Sequence, residues 1–493
     1  MSPVRKLLSL ATAVPMALAI LTISELAQGK EVNKQTETPC ARLLASPEAG
    51  LGGRLRAILK SGGNLQRLLG ELHRQVGPFF SVKAAFMPDH LFFTSDPKTI
   101  HDIFNQTDRP DGSFTKDKRN ILAVSSMAGA NNLFTAPFET WKAQRQQLAP
   151  FFRAQEMRRP DYAALIEKFV TDKFSNLQPG QADYKQLIHE TTLDVITRFL
   201  FNYQMKSDDL TTIAKDWQRV YQTVLIEAMN PLGQPIHDLP TVTEYQAAVK
   251  ETLQTTGRVI EDILQRYDDD LAAASGLLAI MMKMRDPNRG PITRAEVRDQ
   301  IFAFMEAGSE SVAHVIVWAV HDILVNPDVQ GKLVTLIHSG QTEAANEYIN
   351  KIWEEALRLH MPLPLIPRQA VKDVVVSGAW GSYQIPKGAT VVLDTGVMQR
   401  REDLFGVEKT GYPANEFHPE REVNGADFQT YAFGGGPRVC IGWMLGSLEA
   451  RTIIYQLFKS FDVELSTPVP ALKVTRLNDA LVSPNEITLS PRK

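Results

Sequence analysis

The chain has 493 residues, 44% of them hydrophobic and 22% charged, the profile of an ordinary globular protein with enough apolar content to bury a large core. A formal net charge of -3, with no basic stretch interleaved with aromatics, gives no pull toward nucleic acid, which is therefore not an expected partner. Two cysteines, Cys40 and Cys440, are too few for a disulfide framework and fit a reducing compartment.

In chain order, Arg5 and Lys6 precede an apolar run from Leu7 to Ile23, interrupted by Pro15. The run is at the short end of what crosses a bilayer. It reads as a membrane anchor, as the apolar part of a signal peptide cleaved around Ala27 to Gly29, or as an apolar soluble helix. An anchor over residues 1–27 is the expectation, because a cleaved signal would deliver a free cysteine to an oxidising space. Residues 28–48 then form a polar tether. Residues 49–493 form one catalytic domain, since no long Gly/Ser-rich or Pro-rich linker divides them. A membrane-associated protein with its domain in the cytoplasm follows, with a soluble cytoplasmic protein as the alternative.

Leu and Ile recur at helical spacing over 50–72, and an apolar strand-like stretch over 79–93 follows Gly77-Pro78. Amphipathic stretches at 162–177, 191–200, 213–229, 242–267, 329–338 and 344–360 predict a mainly helical protein. Short β-rich pieces at 373–376, 389–393 and 463–466 add small sheets, so the fold class is mainly α with small β-sheets. One helix is exceptional. Thr293-Arg294-Ala295-Glu296 has the form of a capping box, and an apolar pattern runs from Val297 to Leu324 before Asn326-Pro327. About thirty residues are enough to cross a domain through its core. Inside this helix lies Ala307-Gly308-Ser309-Glu310-Ser311, a small polar patch with an acid, where Gly and Ser favour a kink or a local opening of the helix.

Near the end of the chain comes Phe433-Gly434-Gly435-Gly436-Pro437-Arg438-Val439-Cys440-Ile441-Gly442, then an apolar helical stretch from Trp443 to Phe458. Glycines allow backbone to approach a flat ligand, and Arg438 is placed to reach a carboxylate on it. Cys440 opens a helix, where amides and the dipole favour the thiolate that a metal ligand requires. A buried structural cysteine is the plain alternative. The five positions Phe433, Gly436, Arg438, Cys440 and Gly442 would arise together by chance on the order of once in ten thousand chains of this length, which tells against it.

This loop resembles the haem-binding signature of the cytochrome P-450 family. Other residues extend the resemblance in the right order. Trp141 and Arg145, four apart on one helical face, resemble a Trp-x-x-x-Arg that meets a haem propionate, and Arg368 and Arg438 match two further propionate contacts. Glu355 and Arg358 match a Glu-x-x-Arg, with Arg421 as third member, a structural group that fixes the loop. Glu422 departs from the aromatic usual after that arginine.

The resemblance implies a fold with a long central helix and a buried haem b (iron protoporphyrin IX), its iron held by Cys440 as the axial metal ligand, with Glu310 and Ser311 as the catalytic pair that delivers protons to molecular oxygen. Ser311 replaces the usual Thr, and Glu306 is an unusual acid one turn before Glu310, either part of a two-carboxylate relay or facing solvent. It further implies a monomeric monooxygenase that hydroxylates or epoxidises a small apolar substrate, with NAD(P)H electrons arriving through a ferredoxin- or flavoprotein-type reductase. Lys142, Arg153, Arg158 and Arg159 would form its docking face. Substrate contacts are expected from 109–132, 213–240, 361–365 and 477–481. Two alternatives stay open: a haem-thiolate isomerase, dehydratase or peroxide-using enzyme without external electrons, and a non-catalytic haem-binding sensor.

Overall fold

A computed structural model describes residues 65–82, 91–175, 177, 180–215, 217, 243–269, 276–378, 380–422, 430–465 and 486–491. The expected anchor (1–27), the tether (28–48) and the pocket segment 477–481 lie outside the described residues, as does most of 213–240.

Helices dominate: α1 (Leu65–Val76), α2 (Pro97–Gln106), α3 (Lys118–Ala128), α4 (Phe138–Leu148), α5 (Pro160–Ser175), α6 (Tyr184–Phe201), α7 (Thr243–Asp269), α8 (Arg294–Val325), α9 (Pro327–His338), α10 (Thr342–Leu359) and α11 (Trp443–Ser460). The strands of three or more residues are β1 (Phe79–Val82), β2 (Leu91–Thr94), β3 (Phe114–Lys116), β4 (Gly180–Asp183), β5 (Leu365–Ala370), β6 (Val374–Gly378), β7 (Gly381–Ile385), β8 (Thr390–Asp394), β9 (Phe461–Leu465) and β10 (Glu486–Pro491). Five of them form one sheet in the order β1-β2-β8-β5-β3, antiparallel except for the β2–β8 pair. A second sheet runs β9-β10-β4, and β6–β7 is a separate hairpin.

The long helix α8 has 32 residues, about 48 Å of axis. Its first turn is closed by the capping box that the sequence predicts: the Thr293 hydroxyl accepts from the Glu296 amide at 3.2 Å, and the Glu296 carboxylate from the Thr293 amide at 2.8 Å. Val297, Ile301, Met305, Ala313, Ile316 and Ile323 of this helix are buried in the largest apolar cluster, which also takes in α5, α6, α10 and α11. Tyr184, the first residue of α6, donates its hydroxyl to the Val317 carbonyl at 2.6 Å. His360, just after α10, donates from Nε2 to the Asp322 carboxylate at 2.8 Å while its ring stacks on Trp318 at 4.1 Å. Central α8 is thus pinned from two sides.

The glycine patch does not break α8, which is continuous from Arg294 to Val325. A Cβ on Gly308 would stand 2.7 Å from Ile196 Cγ1 of α6. Glycine serves close helix packing here, and that contact lies far away in sequence.

Candidate active site

Cys440 sits three residues before α11 on a tight loop. Its amide donates to the Phe433 carbonyl at 2.9 Å and the Val439 amide to the Gly436 carbonyl at 3.1 Å, which closes the loop on itself. Gly436 has φ of 62°, and a Cβ there would lie 2.0 Å from the Phe104 carbonyl oxygen. No other residue fits that position. Gly442 caps α11, and a Cβ on Gly446, one turn further on, would come within 3.2 Å of Val312 on α8. The loop is therefore held against the segment of α8 that carries Ser311.

Three residues at this junction combine accessible surface with deep enclosure. Cys440 is exposed, yet burial among protein atoms pushes its thiol up, with the Gly442 amide and the Arg145 guanidinium pulling the other way. Ala307, at the middle of a core helix, is exposed, and Ser311 one turn on is half-buried. Accessible surface at the middle of a core helix is where a bound ligand would fit. The expectation that the helix start alone favours the thiolate gives way here, because burial outweighs the amides; a bound cation is what would hold the thiolate in place.

A basic group borders the loop. The Arg438 side chain is 4% exposed, its guanidinium 3.9 Å from the centre of the Trp141 ring, and its Nε donates to Asp108 at 2.6 Å. Arg368 on β5 is buried, and its Nη1 donates to the Pro367 carbonyl at 2.9 Å. Arg438 Nη1 and Arg368 Nε are buried with no hydrogen-bond partner among the described residues. Lys116 on β3 faces Arg368 directly across the β3–β5 pair, donates to the Phe134 carbonyl and lies over the Phe134 ring. Burial, then repulsion by Arg438 and Arg368, pushes the Lys116 ammonium well down. Unpaired buried donors and crowded cations are costly unless an anion joins them. A planar ligand with carboxylates at one edge and a metal at its centre fits this donor set: thiol below, guanidinium and ammonium groups at the rim.

Arg145 stands between the two groups, donating from Nη1 to the Val439 carbonyl at 2.7 Å, beside the thiol. Sequence reasoning missed Lys116 and Asp108. Neither belongs to a recognisable motif; only the strand pairing and the turn after α2 bring them in.

Glu355, Arg358 and Arg421 come together as one buried unit. Arg358 grips the Glu355 carboxylate through Nε and Nη2 at 2.7 and 2.8 Å, and Arg421 Nε adds a third bond at 2.9 Å. The other guanidinium nitrogens donate to the carbonyls of Gln399, Ala414, Pro413, Glu416, Phe405 and Tyr412 and to the Thr410 hydroxyl. This network holds the segment that leads to the cysteine loop.

On α8, Glu310 and Ser311 face different ways. The Ser311 hydroxyl donates to the Ala307 carbonyl at 2.7 Å, on the accessible side of α8. Glu310 pairs with His189 Nδ1 of α6 at 2.9 Å, both buried. Burial would raise its carboxyl, but His189, by charge and hydrogen bond, and Lys185 hold it below the usual carboxylate range. Glu306 is pushed up to about 7 by burial and by the Glu310 charge, so it is not a solvated surface acid. His314, one turn beyond Glu310, is pushed down to about 3 by burial and stays neutral. Of the expected pocket residues, Ile213 and Trp217 are buried in the core, Trp217 against Phe302. Met361 is buried too, its sulfur accepting from the Thr395 hydroxyl at 3.1 Å.

Comparison with known proteins agrees with this arrangement. The cytochrome P450 family model matches residues 53–490, and the chain belongs to the cytochrome P450 family, which makes it, at the level of the class, a haem-thiolate oxidoreductase that incorporates oxygen. Among similar proteins are cytochrome P450 52-M1 of Starmerella bombicola, 26% identical over 69% of this chain and 70% of its own length, and cytochrome P450 6a2 of Drosophila melanogaster, 25% identical over 80% and 82%. The chloroplastic protein LUTEIN DEFICIENT 5 of Arabidopsis thaliana is 24% identical over 82% and 70%. Among the described residues no single helix is long and apolar enough to cross a membrane.

Proposed function

We propose that this chain hydroxylates or epoxidises a small apolar substrate, with Cys440 as the axial ligand of haem b and electrons from NAD(P)H passed on by a ferredoxin- or flavoprotein-type partner. The observation that carries the reading is the enclosed Cys440 sulfur beside a rim of buried, unpaired guanidinium donors. When bound, haem supplies reductive activation of molecular oxygen and oxygen transfer to carbon.

The chain's own residues bind, orient and move protons. Arg368, Arg438 and Lys116 bind the carboxylate edge, Trp141 stacks on Arg438, and Arg145 steadies the carbonyl just before the ligand. Glu310 and Ser311 deliver protons, Ser311 through its hydroxyl and Glu310 as an ionised carboxylate that first takes a proton and then passes it on. His189 and Lys185 keep Glu310 charged and within reach of a proton source on α6. Ser311 must release the Ala307 carbonyl to donate elsewhere, and it lacks the methyl that fixes a threonine rotamer.

The enclosed, apolar surroundings of α8 favour a lipid, terpene, steroid or polyketide as substrate class. Lys142, Arg153 and Arg158 are exposed, and Trp443 at the start of α11 is 46% exposed. Together these residues suit an acidic electron donor. Arg159 contributes less, being paired with Glu156 and Asp161.

Oxygen consumption driven by reduced nicotinamide and a surrogate reductase tests the reading. Substrate-stimulated consumption with an oxygenated product is expected. Conversion of a peroxide or oxime with no electrons supplied would point instead to an isomerase or dehydratase, and haem uptake without any turnover to a sensor.

A further inference from the structure

Asp108 follows α2 and is one of two non-glycine described residues at positive φ, 52°. Its conformation is fixed from three sides: its amide donates to the Phe114 carbonyl at 2.9 Å, Oδ1 accepts from the Thr115 hydroxyl at 2.7 Å, and Oδ2 accepts from Arg438 Nε at 2.6 Å. The carboxylate and the guanidinium are both almost fully enclosed. An acid in this place needs explaining, because it occupies one of the cations that would otherwise serve the carboxylate edge of the bound ligand.

Two features explain it. Arg438 is held by Nε alone, which leaves Nη1 buried and unpaired, so Asp108 fixes the rotation of the fork and presents its outer edge. Charge is the second. Arg368 and Lys116 are direct cross-strand partners, a pairing of like charges that is unfavourable alone, and Arg438 makes a third cation. Arg145 lies beside the thiol and balances the thiolate. Carboxylates at the rim would restore the proton that burial and the Arg438 and Arg368 charges push off Lys116, and the three rim cations with Asp108 then sum to two positive charges, the complement of a ligand with two carboxylates.

We infer that Asp108 is a positioning residue that aims Arg438 and trims the rim to a net charge of two, and that it thereby helps set the reduction potential of the bound iron. The inference rests on the haem reading above. Removing a negative charge from an enclosed site favours the more electron-rich state of the metal, so the sign of the effect is fixed.

The test is spectroelectrochemical titration of the haem-loaded, full-length protein and three variants. Asp108→Asn keeps the shape, and Asn is tolerated at positive φ. It is expected to raise the ferrous-to-ferric ratio at fixed ambient potential about threefold to tenfold, tenfold being 59 mV for one electron. Lys116→Gln is expected to lower the ratio by a similar factor. The double variant restores the net charge of two and should return the ratio to within about twofold of wild type, whereas structural damage from two substitutions would add. An unchanged ratio in Asp108→Asn, or a double variant further from wild type than either single one, overturns the inference. Should Asp108→Asn alone fail to hold haem, Lys116→Gln and the double variant still decide it: the double variant must then load haem, and failure to load counts against the charge account. A wild-type protein that takes up no haem would sink the functional reading itself, and is thereby told apart from these outcomes.

Discussion

At the residue scale, the accessible side of α8 at Ser311 and the acids next to it make two predictions. Glu306 has a folded-state pKa raised to about 7, above its unfolded value of about 4.3, so its neutral form is the one the fold accommodates. Its contribution is therefore harmless below the unfolded value and turns unfavourable as pH rises toward 7, by up to about 3 kcal/mol. Glu306→Gln is expected to stabilise the protein by an amount that grows between pH 5.5 and pH 8.5 in urea unfolding; a gain independent of pH would contradict this. Ser311→Ala removes the hydroxyl on the accessible side of α8 and is expected to divert oxygen to peroxide, lowering the product formed per nicotinamide consumed. Unaltered coupling would remove Ser311 from proton delivery. The chain's sequence does single out Glu310, Ser311 and Glu306, but it does not reveal that Glu310 turns to His189 on α6. Residues 189 and 310 share no motif, and only the packing of two helices joins them.

At the element scale, α8 depends on a close approach to α6 and the cysteine loop on a buried ionic clasp. Gly308→Ala gains about 1 kcal/mol of helix propensity and loses about 1–3 to the clash with Ile196, so a modest net loss of stability is expected. Ile196→Ala alone costs about 2–5 kcal/mol, and in the Gly308→Ala background it should cost less because the clash goes with it, read as positive coupling in a double-mutant cycle; simple additivity would show that Gly308 does not serve this contact. Glu355→Gln leaves Arg358, 2% exposed, and Arg421 without their carboxylate, at a cost of about 3–5 kcal/mol. Loss of haem retention should accompany it in a transfer assay to a haem-free globin, and full retention would argue that the clasp does not hold the loop. The elements themselves were readable where a local signal existed. The capping box before Glu296, the Asn326-Pro327 stop and the long apolar run predict α8 almost to the residue. The five-stranded sheet was not, since it joins strands from both halves of the chain and nothing in a short apolar run names its partner.

At the scale of the whole molecule, one large helical body carries small sheets that bring remote cations to a single rim. The motifs legible in the sequence, Trp141, Arg145, Arg368, Arg438 and the cysteine loop, cover the ligand and part of the rim. Lys116 and Asp108 escaped because their roles follow from the β3–β5 register and from one left-handed residue. The exposed face bearing Lys142, Arg153 and Trp443 belongs to this scale too. Reversing Lys142 and Arg153 to Glu is expected to raise the KM for an acidic reductase several-fold and to flatten its dependence on salt, with peroxide-supported turnover unchanged. The account as a whole stands on thiolate ligation by Cys440, and the absorption spectrum of the reduced, carbon monoxide-bound protein tests that most directly. A Soret band shifted well to the red of histidine-ligated haem is predicted, and it should vanish in a folded Cys440→Ala variant. A histidine-type band in the wild-type protein, or a red-shifted band that survives the substitution, would contradict it.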